Sequence, residues 1–281
     1  MNLEETIKSI AATIRENYVE SETGDRVAKR IEEYIGSPTW NKLISRDDVY
    51  RIIYNINCII STESDDGHFY ITRQNQNDSQ GTGIERITPH FIQISSFKNI
   101  SDEFVRQTYS EFFKTARDNL LIDLRGCPGG SPETAYYILC HLFDTGTPLF
   151  ELQTRNYAPK IFKSADSVPF YPNYNNITKF KGTVKVIVDE YTYSAAESLA
   201  FVIQHRGRGQ IYGSKTSGYA HITHPIKIGD IWLYLPYSRT CDPDTHKDWE
   251  NIGVIPDYPV GSKEFISLVY NELAANYMTP F

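Results

Sequence analysis

Two stretches of this sequence have the residue types that acyl chemistry needs. In TVKVIVDEYTYSAAESLAFVIQHRG a β-branched apolar run ends in a polar turn, and a helix-forming segment opens directly after it with Ser194 at the junction. A hydroxyl placed there stands at the carboxyl end of a strand and at the positive end of a helix. The N–H of Ala195, unused at a helix start, could donate to an oxyanion formed when Ser194 attacks a carbonyl, and the small side chains of Ala195 and Ala196 keep the approach open. A serine that opens a helix is also an ordinary N-cap, so this stretch alone admits both readings.

The second stretch is LLIDLRGCPGGSPET, again a strand that runs straight into a glycine turn and then a helix. Gly129 and Gly130 permit backbone conformations and close approach that a side chain would block, so one of their N–H groups could be the other oxyanion donor. The alternative is a tight turn that needs glycine for steric reasons alone. The spacing is not that of a nucleotide-binding glycine loop.

These stretches belong to a chain of 281 residues, long enough for a large domain with a smaller appendage. From Leu3 to about Ile60 apolar residues recur at helical spacing (Ile7, Ile10, Ile14, Tyr18; Val27, Ile31, Ile35; Val49, Ile52, Ile53, Ile56, Ile60), which predicts three short amphipathic helices. Gly36 and Pro38 break the second from the third, and Ser45 with Asp47 and Asp48 offers the next start. After that, strands and helices alternate. HFYITR, ITPHFIQISSF, LLIDL, TPLFELQTRNY, TVKVIVD, QIYGS, ITHPIKI and IWLYLPY read as strands. SDEFVRQTYSEFFKTARDN (Ser101 as cap), PETAYYILCHLF, the segment from Ser194 and KEFISLVYNELAANY read as helices; QNQNDSQGTG and residues 164–178 read as loops. Such alternation implies an α/β core with a largely buried sheet.

A net charge of -7 without a Lys/Arg stripe argues against a phosphate-tracking surface, so nucleic acid is not an expected partner. The four cysteines, Cys58, Cys127, Cys140 and Cys241, lie far apart with no C-x-x-C spacing and no paired histidines, which suggests neither a zinc site nor a disulfide framework but reduced, mostly packed thiols. No apolar run is long enough to span a membrane, and MNLEETIKSIAATIREN lacks the h-region of a secretory signal. A soluble chain is expected, cytoplasmic unless a leader has been removed.

Taken in order, LIDLRGCPGGS, TYSAAES, SKTSGYAH and DPDTHKDWENIGVIPDYPV resemble the tail-specific, or C-terminal processing, serine peptidase family. The amino-terminal helices leading to DDGHFYIT are similar to the branch that includes the interphotoreceptor retinoid-binding protein repeats and their bacterial relatives. The resemblance covers nearly the whole chain. It implies a crotonase-like α/β core, here at 63–281 after a small helical domain at 1–62; many members carry a PDZ domain between the two, but the roughly 50 residues from His68 to Leu121 are taken up by a loop, one strand and one helix and leave no room for it. It also implies a serine-type peptidase acting on peptides or proteins with neither metal nor cofactor.

Members with a Ser-Lys dyad place their lysine where this sequence has Tyr219; Lys215 comes four residues earlier. The branch that resembles the tricorn core protease uses a histidine from the start of the catalytic chain and a glutamate near its end. That pattern implies His68 as general base and Glu250 as the acidic member behind it, with Gly67 standing where the pattern has a serine. His221, in SGYAHITH, is the second candidate base. Asp123 and Arg125 are expected to lock the glycine turn, and Tyr237 and Arg239 to line a substrate groove or to serve structure. The competing reading is a binding module of the same fold that holds a hydrophobic ligand or peptide end without turnover. Acyl-CoA chemistry of the crotonase type would leave Ser194 without a purpose.

Overall fold

The computed structural model describes residues 2–74, 81–164 and 177–273. Four helices come first: α1 (Leu3–Asn17), α2 (Ser21–Tyr34), α3 (Pro38–Ile44) and α4 (Val49–Ser64). Then follow β1 (Tyr70–Thr72), β2 (Ile84–Thr88), β3 (Phe91–Ile94), α5 (Glu103–Thr115), β4 (Asn119–Asp123), α6 (Pro132–Leu142), β5 (Pro148–Thr154) and β6 (Tyr157–Lys163). The chain continues with β7 (Thr183–Val188), α7 (Ala195–His205), β8 (Gln210–Gly213), β9 (His221–Ile228), β10 (Ile231–Cys241), β11 (Tyr258–Pro259), α8 (Lys263–Leu268) and a π-helical turn at Val269–Leu273.

Several local expectations change. The amino-terminal segment holds four helices, because Ser37 caps a short extra one with Pro38 in its first turn, and Asp48 caps α4. Asp102, not Ser101, caps α5, accepting from the N–H groups of Phe104 and Val105. ITPHFIQISSF folds back on itself at Pro89-His90 as the antiparallel pair β2–β3, and TPLFELQTRNY breaks after Thr154 into β5 and β6. Residues 75–80, 165–176 and 274–281, which include most of the two anticipated loops and the end of the last anticipated helix, lie outside the described residues.

The chain divides into two compact units. The first comprises Met1–Asn77, Leu152–Lys160 and His221–Thr240, and so extends beyond the helical segment 1–62. The isoleucines that set the helical period, Ile7, Ile10, Ile14, Ile31, Ile52, Ile56 and Ile60, are buried with Trp40 and with Ile71 and Leu233 from β1 and β10. The helices therefore cover an antiparallel sheet face rather than only one another. Among the described residues this sheet has the order β1-β10-β5-β6, with β9 also paired to β10.

The second unit comprises Asp78–Glu151, Ile161–Ala220 and Cys241–Phe281. Among the described residues its six-stranded sheet has the order β11-β8-β7-β4-β3-β2, parallel from β11 through β3 and antiparallel at β2. Parallel neighbours need crossover connections, and α5 and α7 supply them for β3–β4 and β7–β8. Leu120, Ile122, Val184, Val186 and Ile211 pack with α6 and α7 residues such as Leu139, Leu199 and Ile203 in one cluster, and Phe91, Leu121, Ile187 and Tyr212 pack with Leu268 of α8 in another. Both sheet faces are thus covered, which explains the near-continuous apolar runs of β4 and β7. The four cysteines are free thiols, and only Cys58 is exposed.

Candidate active site

Within the second unit β4 and β7 are parallel neighbours in register from Asn119↔Thr183 to Asp123↔Ile187, so the turns that follow them emerge side by side. Hydrogen bonds stitch the turns together. Gly126 N–H donates to Asp189 Oδ1 (3.0 Å), the Thr192 hydroxyl to the Leu124 carbonyl (2.9 Å), and Tyr193 N–H to the Cys127 carbonyl (3.0 Å). Arg125 closes on Asp123 through Nε (2.9 Å) and Nη2 (2.7 Å), which locks the strand exit.

This brings Ser194, Ala195 and the glycine pair together. Ser194 has φ 55° and ψ -121°, the mirror image of an extended conformation and one that an L-residue rarely adopts. Ser194 thus holds a strained backbone conformation on the sharp turn between β7 and α7. A Cβ on Gly129, whose φ is +84°, would lie 2.7 Å from Tyr193 O, 2.8 Å from Ala195 N and 3.0 Å from Ser194 Cβ. Gly129 is therefore glycine both for its backbone conformation and because the serine turn presses on it. Gly130 meets the chain on the other side: its Cβ would lie 2.2 Å from Phe97 O, and Phe97 N–H donates to Gly129 O at 2.7 Å. Cys127, behind this turn, is pushed up to about 12 by burial, with the Gly129 N–H opposing, so its thiol stays protonated.

The turn rests on Glu197, which is fully buried. Its Oε2 accepts the N–H groups of Ser194 and Tyr219 (both 2.9 Å), and its Oε1 accepts the Thr216 hydroxyl (2.5 Å) and the Gly218 N–H (2.6 Å). Burial raises its carboxyl above the ordinary range, with these hydrogen bonds opposing. Glu197 thus ties the serine's own backbone to the segment that follows β8. The ring of Tyr219 packs on that of Tyr193, with centroids 4.2 Å apart. The DWENIGV segment is held to the same place. Val254 N–H donates to Thr216 Oγ1 (2.7 Å), Asn251 N–H to Gly218 O (2.8 Å) and Ala220 N–H to Glu250 Oε2 (2.5 Å), while Trp249 packs on Phe201 of α7.

The first unit contains His68, His221, Tyr237 and Arg239. Two of them, His68 through its backbone and His221 through its ring, meet the buried carboxylate of Asp66. Asp66 Oδ1 accepts the backbone N–H of His68 (2.9 Å), and Oδ2 accepts the Tyr18 hydroxyl (3.0 Å) and lies 2.7 Å from His221 Nδ1. Burial opposes ionisation of Asp66, but His221 and the His68 N–H outweigh it and hold the carboxyl below its usual range. Arg239 Nε donates to Gln153 Oε1 at 2.8 Å, and the Tyr237 ring meets His224 edge-on.

Glu197 and Asp66 are not among the residues that the motifs of the sequence point to. Ser194-x-x-Glu197 is a capping-box spacing, a signal that could have found the first. No local signal identifies Asp66, whose ring partner is 155 positions away.

The His68 imidazole is pushed down to about 4 by burial, with Asp66 opposing and His221 adding to the fall. His141, buried against the Thr178 carbonyl, is likewise pushed down to about 4 by burial. Both are neutral in the folded protein and protonated in the unfolded chain between pH 6.5 and about 4, so the unfolded state binds more protons there. Stability is therefore expected to fall as pH drops through that window. Urea midpoints measured across it should decline, less steeply in His141→Gln; equal midpoints at both ends would contradict the assignment.

The model of Peptidase family S41 matches residues 90–260. The carboxy-terminal processing protease CtpB of Bacillus subtilis is 28% identical over 141 residues, which cover 50% of this chain and 27% of CtpB. The chain thus matches about a quarter of that relative's length. Among solved structures, a lipoprotein from Streptococcus agalactiae superposes with a TM-score of 0.65 at 15% identity, over 97% of this chain and 96% of that one. The tricorn protease gives a TM-score of 0.52 at 14% identity, over 92% of this chain and 35% of its own. Both likenesses concern the fold.

Proposed function

The chain belongs to peptidase family S41, and from that premise we propose that it is a serine peptidase that cleaves peptides or proteins through an acyl-enzyme on Ser194. The observation that carries this reading is the strained Ser194 backbone pressed against Gly129, a conformation for which a non-catalytic binding module would have no use. Ser194 Oγ attacks the scissile carbonyl, and its proton passes to His68, a neutral imidazole at neutral pH. The N–H groups of Ala195 and of Gly129 or Gly130 hold the oxyanion. Collapse of the tetrahedral intermediate expels the amine, which takes the proton from His68 and leaves the acyl group on Ser194; water then repeats the sequence and frees the acid.

No step in this scheme calls for a metal or cofactor. Glu250 is the acidic member of the scheme, and Tyr237 and Arg239 serve the substrate groove. Asp66 is a positioning residue on the histidine side, a role that Gly67 cannot fill. The parallel core of the second unit is of the crotonase-like kind. A histidine base is what a branch resembling the tricorn core protease and the retinoid-binding repeats would use. Among the described residues no helix is long and apolar enough to cross a membrane.

Hydrolysis of an unstructured polypeptide tests the choice of base. His68→Gln is expected to lower kcat at least about 100-fold, with Lys215→Met within a few-fold of the parent. The reverse pattern would move the base role to lysine, and a loss confined to His221→Gln would move it to His221. Gly129→Ala is expected to cost about 2.7 to 4 kcal/mol of transition-state stabilisation, as for loss of one oxyanion donor, because its Cβ would enter the contact with Ala195 N. A variant with the parent's kcat/KM would show that the glycine turn does not shape the site.

A further inference from the structure

Glu151 on β5 and Cys241 at the end of β10 lie on neighbouring strands, and the chain then turns through DPDTHK. Asp242 builds that turn. Its Oδ1 accepts the N–H groups of Asp244 (3.1 Å) and Thr245 (2.8 Å), its carbonyl accepts His246 N–H (2.9 Å), and its own N–H donates to Lys247 O (2.8 Å). Arg206 pairs with the carboxylates of Asp242 and Asp244. The result returns His246 to the strand it left.

His246 Nδ1 is 3.3 Å from Glu151 Oε1, and Cys241 Sγ is 3.9 Å from the same oxygen. One donor atom from each of the three side chains lies within 4.8 Å of the other two. Glu151 and Cys241 are buried, whereas the His246 side chain is 60% exposed. As a thiol–carboxylate hydrogen bond this contact is weak. As the edge of a coordination polyhedron it fits: zinc bond lengths and tetrahedral angles require about 3.4 Å between nitrogen and oxygen ligands and about 3.6 Å between sulfur and oxygen.

We propose that Cys241, His246 and Glu151 form a binding site for a thiophilic divalent cation, Zn²⁺ being the ion best matched to one sulfur, one nitrogen and one oxygen donor. Cys241 gives up its thiol proton to solvent on binding, without change of oxidation state, and thiolate plus carboxylate balance the charge of the ion. Water takes the fourth position, on the side left open by the exposed histidine. The bound ion pins the 242–247 turn to β5. Sequence spacing could not show this, because Glu151 stands 90 positions from Cys241.

Co²⁺ is the probe, added to the full chain in a Cys58→Ser background that removes the exposed thiol. One equivalent is expected to produce a thiolate-to-cobalt charge-transfer band in the near ultraviolet and tetrahedral ligand-field absorption, both abolished by Zn²⁺. His246→Ala, at an exposed position, should weaken Co²⁺ binding at least about tenfold with an unchanged far-ultraviolet circular dichroism spectrum, and Cys241→Ser should remove the band. Absence of the band, or equal affinity in His246→Ala, would overturn the proposal. The readout is absorbance, so the result stands apart from any peptidase activity.

Discussion

Replacing Ser194 with glycine is expected to abolish peptide hydrolysis while raising the melting temperature. At φ 55° and ψ -121° the serine occupies the mirror image of the extended region, which costs a non-glycine residue on the order of 1–3 kcal/mol. Glycine adopts that conformation freely. Its greater entropy in the unfolded chain takes back up to about 1 kcal/mol, leaving a net gain of about 1 kcal/mol, or roughly 2 °C for a protein of this size. The Ser194 N–H bond to Glu197 comes from the backbone and survives the change. Catalysis does not survive it: removal of the nucleophile is expected to lower kcat by at least about 10⁴-fold. Ser194→Ala keeps the strained φ, so it should lose activity without gaining stability. Calorimetry and a peptide assay on the three proteins separate these outcomes. A glycine variant less stable than the parent would show that the turn stores no strain.

Glu197→Ala should be the most destabilising single change at the site. The carboxylate accepts from four groups, the N–H of Ser194, Gly218 and Tyr219 and the hydroxyl of Thr216, in a place closed to solvent. Truncation leaves those donors unsatisfied at roughly 1–3 kcal/mol each, less whatever entering water restores, and a loss of about 4 kcal/mol is expected. Activity should fall as well, because the serine's backbone and the 216–219 segment are both released. Glu197→Gln keeps the volume but turns an amide donor toward N–H groups, so it should fall between parent and alanine. Urea unfolding measures the stability; an alanine variant within about 1 kcal/mol of the parent would show that the four bonds are not a unit.

What the sequence made legible follows from how local each signal is. Isoleucines at 7, 10 and 14 lie on one helix face and are buried there, and LLIDL and TVKVIV are apolar because helices cover both sides of the sheet. Ser194 and the Gly129-Gly130 pair were readable because each sits at a strand-to-helix junction. That the two junctions meet depends on β4 and β7 being neighbours, a fact of strand order that periodicity does not contain. The same limit hid Asp66, whose histidine partner arrives from β9, and three of the donors on Glu197, which come from beyond β8. Hairpins were lost where a run of strand-forming residues, such as ITPHFIQISSF, contains its own turn.

Reaction of the full chain with a fluorophosphonate, followed by intact and peptide mass spectrometry, tests whether Ser194 is an activated nucleophile. One adduct per chain is expected, located on Ser194, that disappears in Ser194→Ala and forms far more slowly in His68→Gln. A folded protein that takes up no probe, or that carries the adduct on another serine, would contradict it.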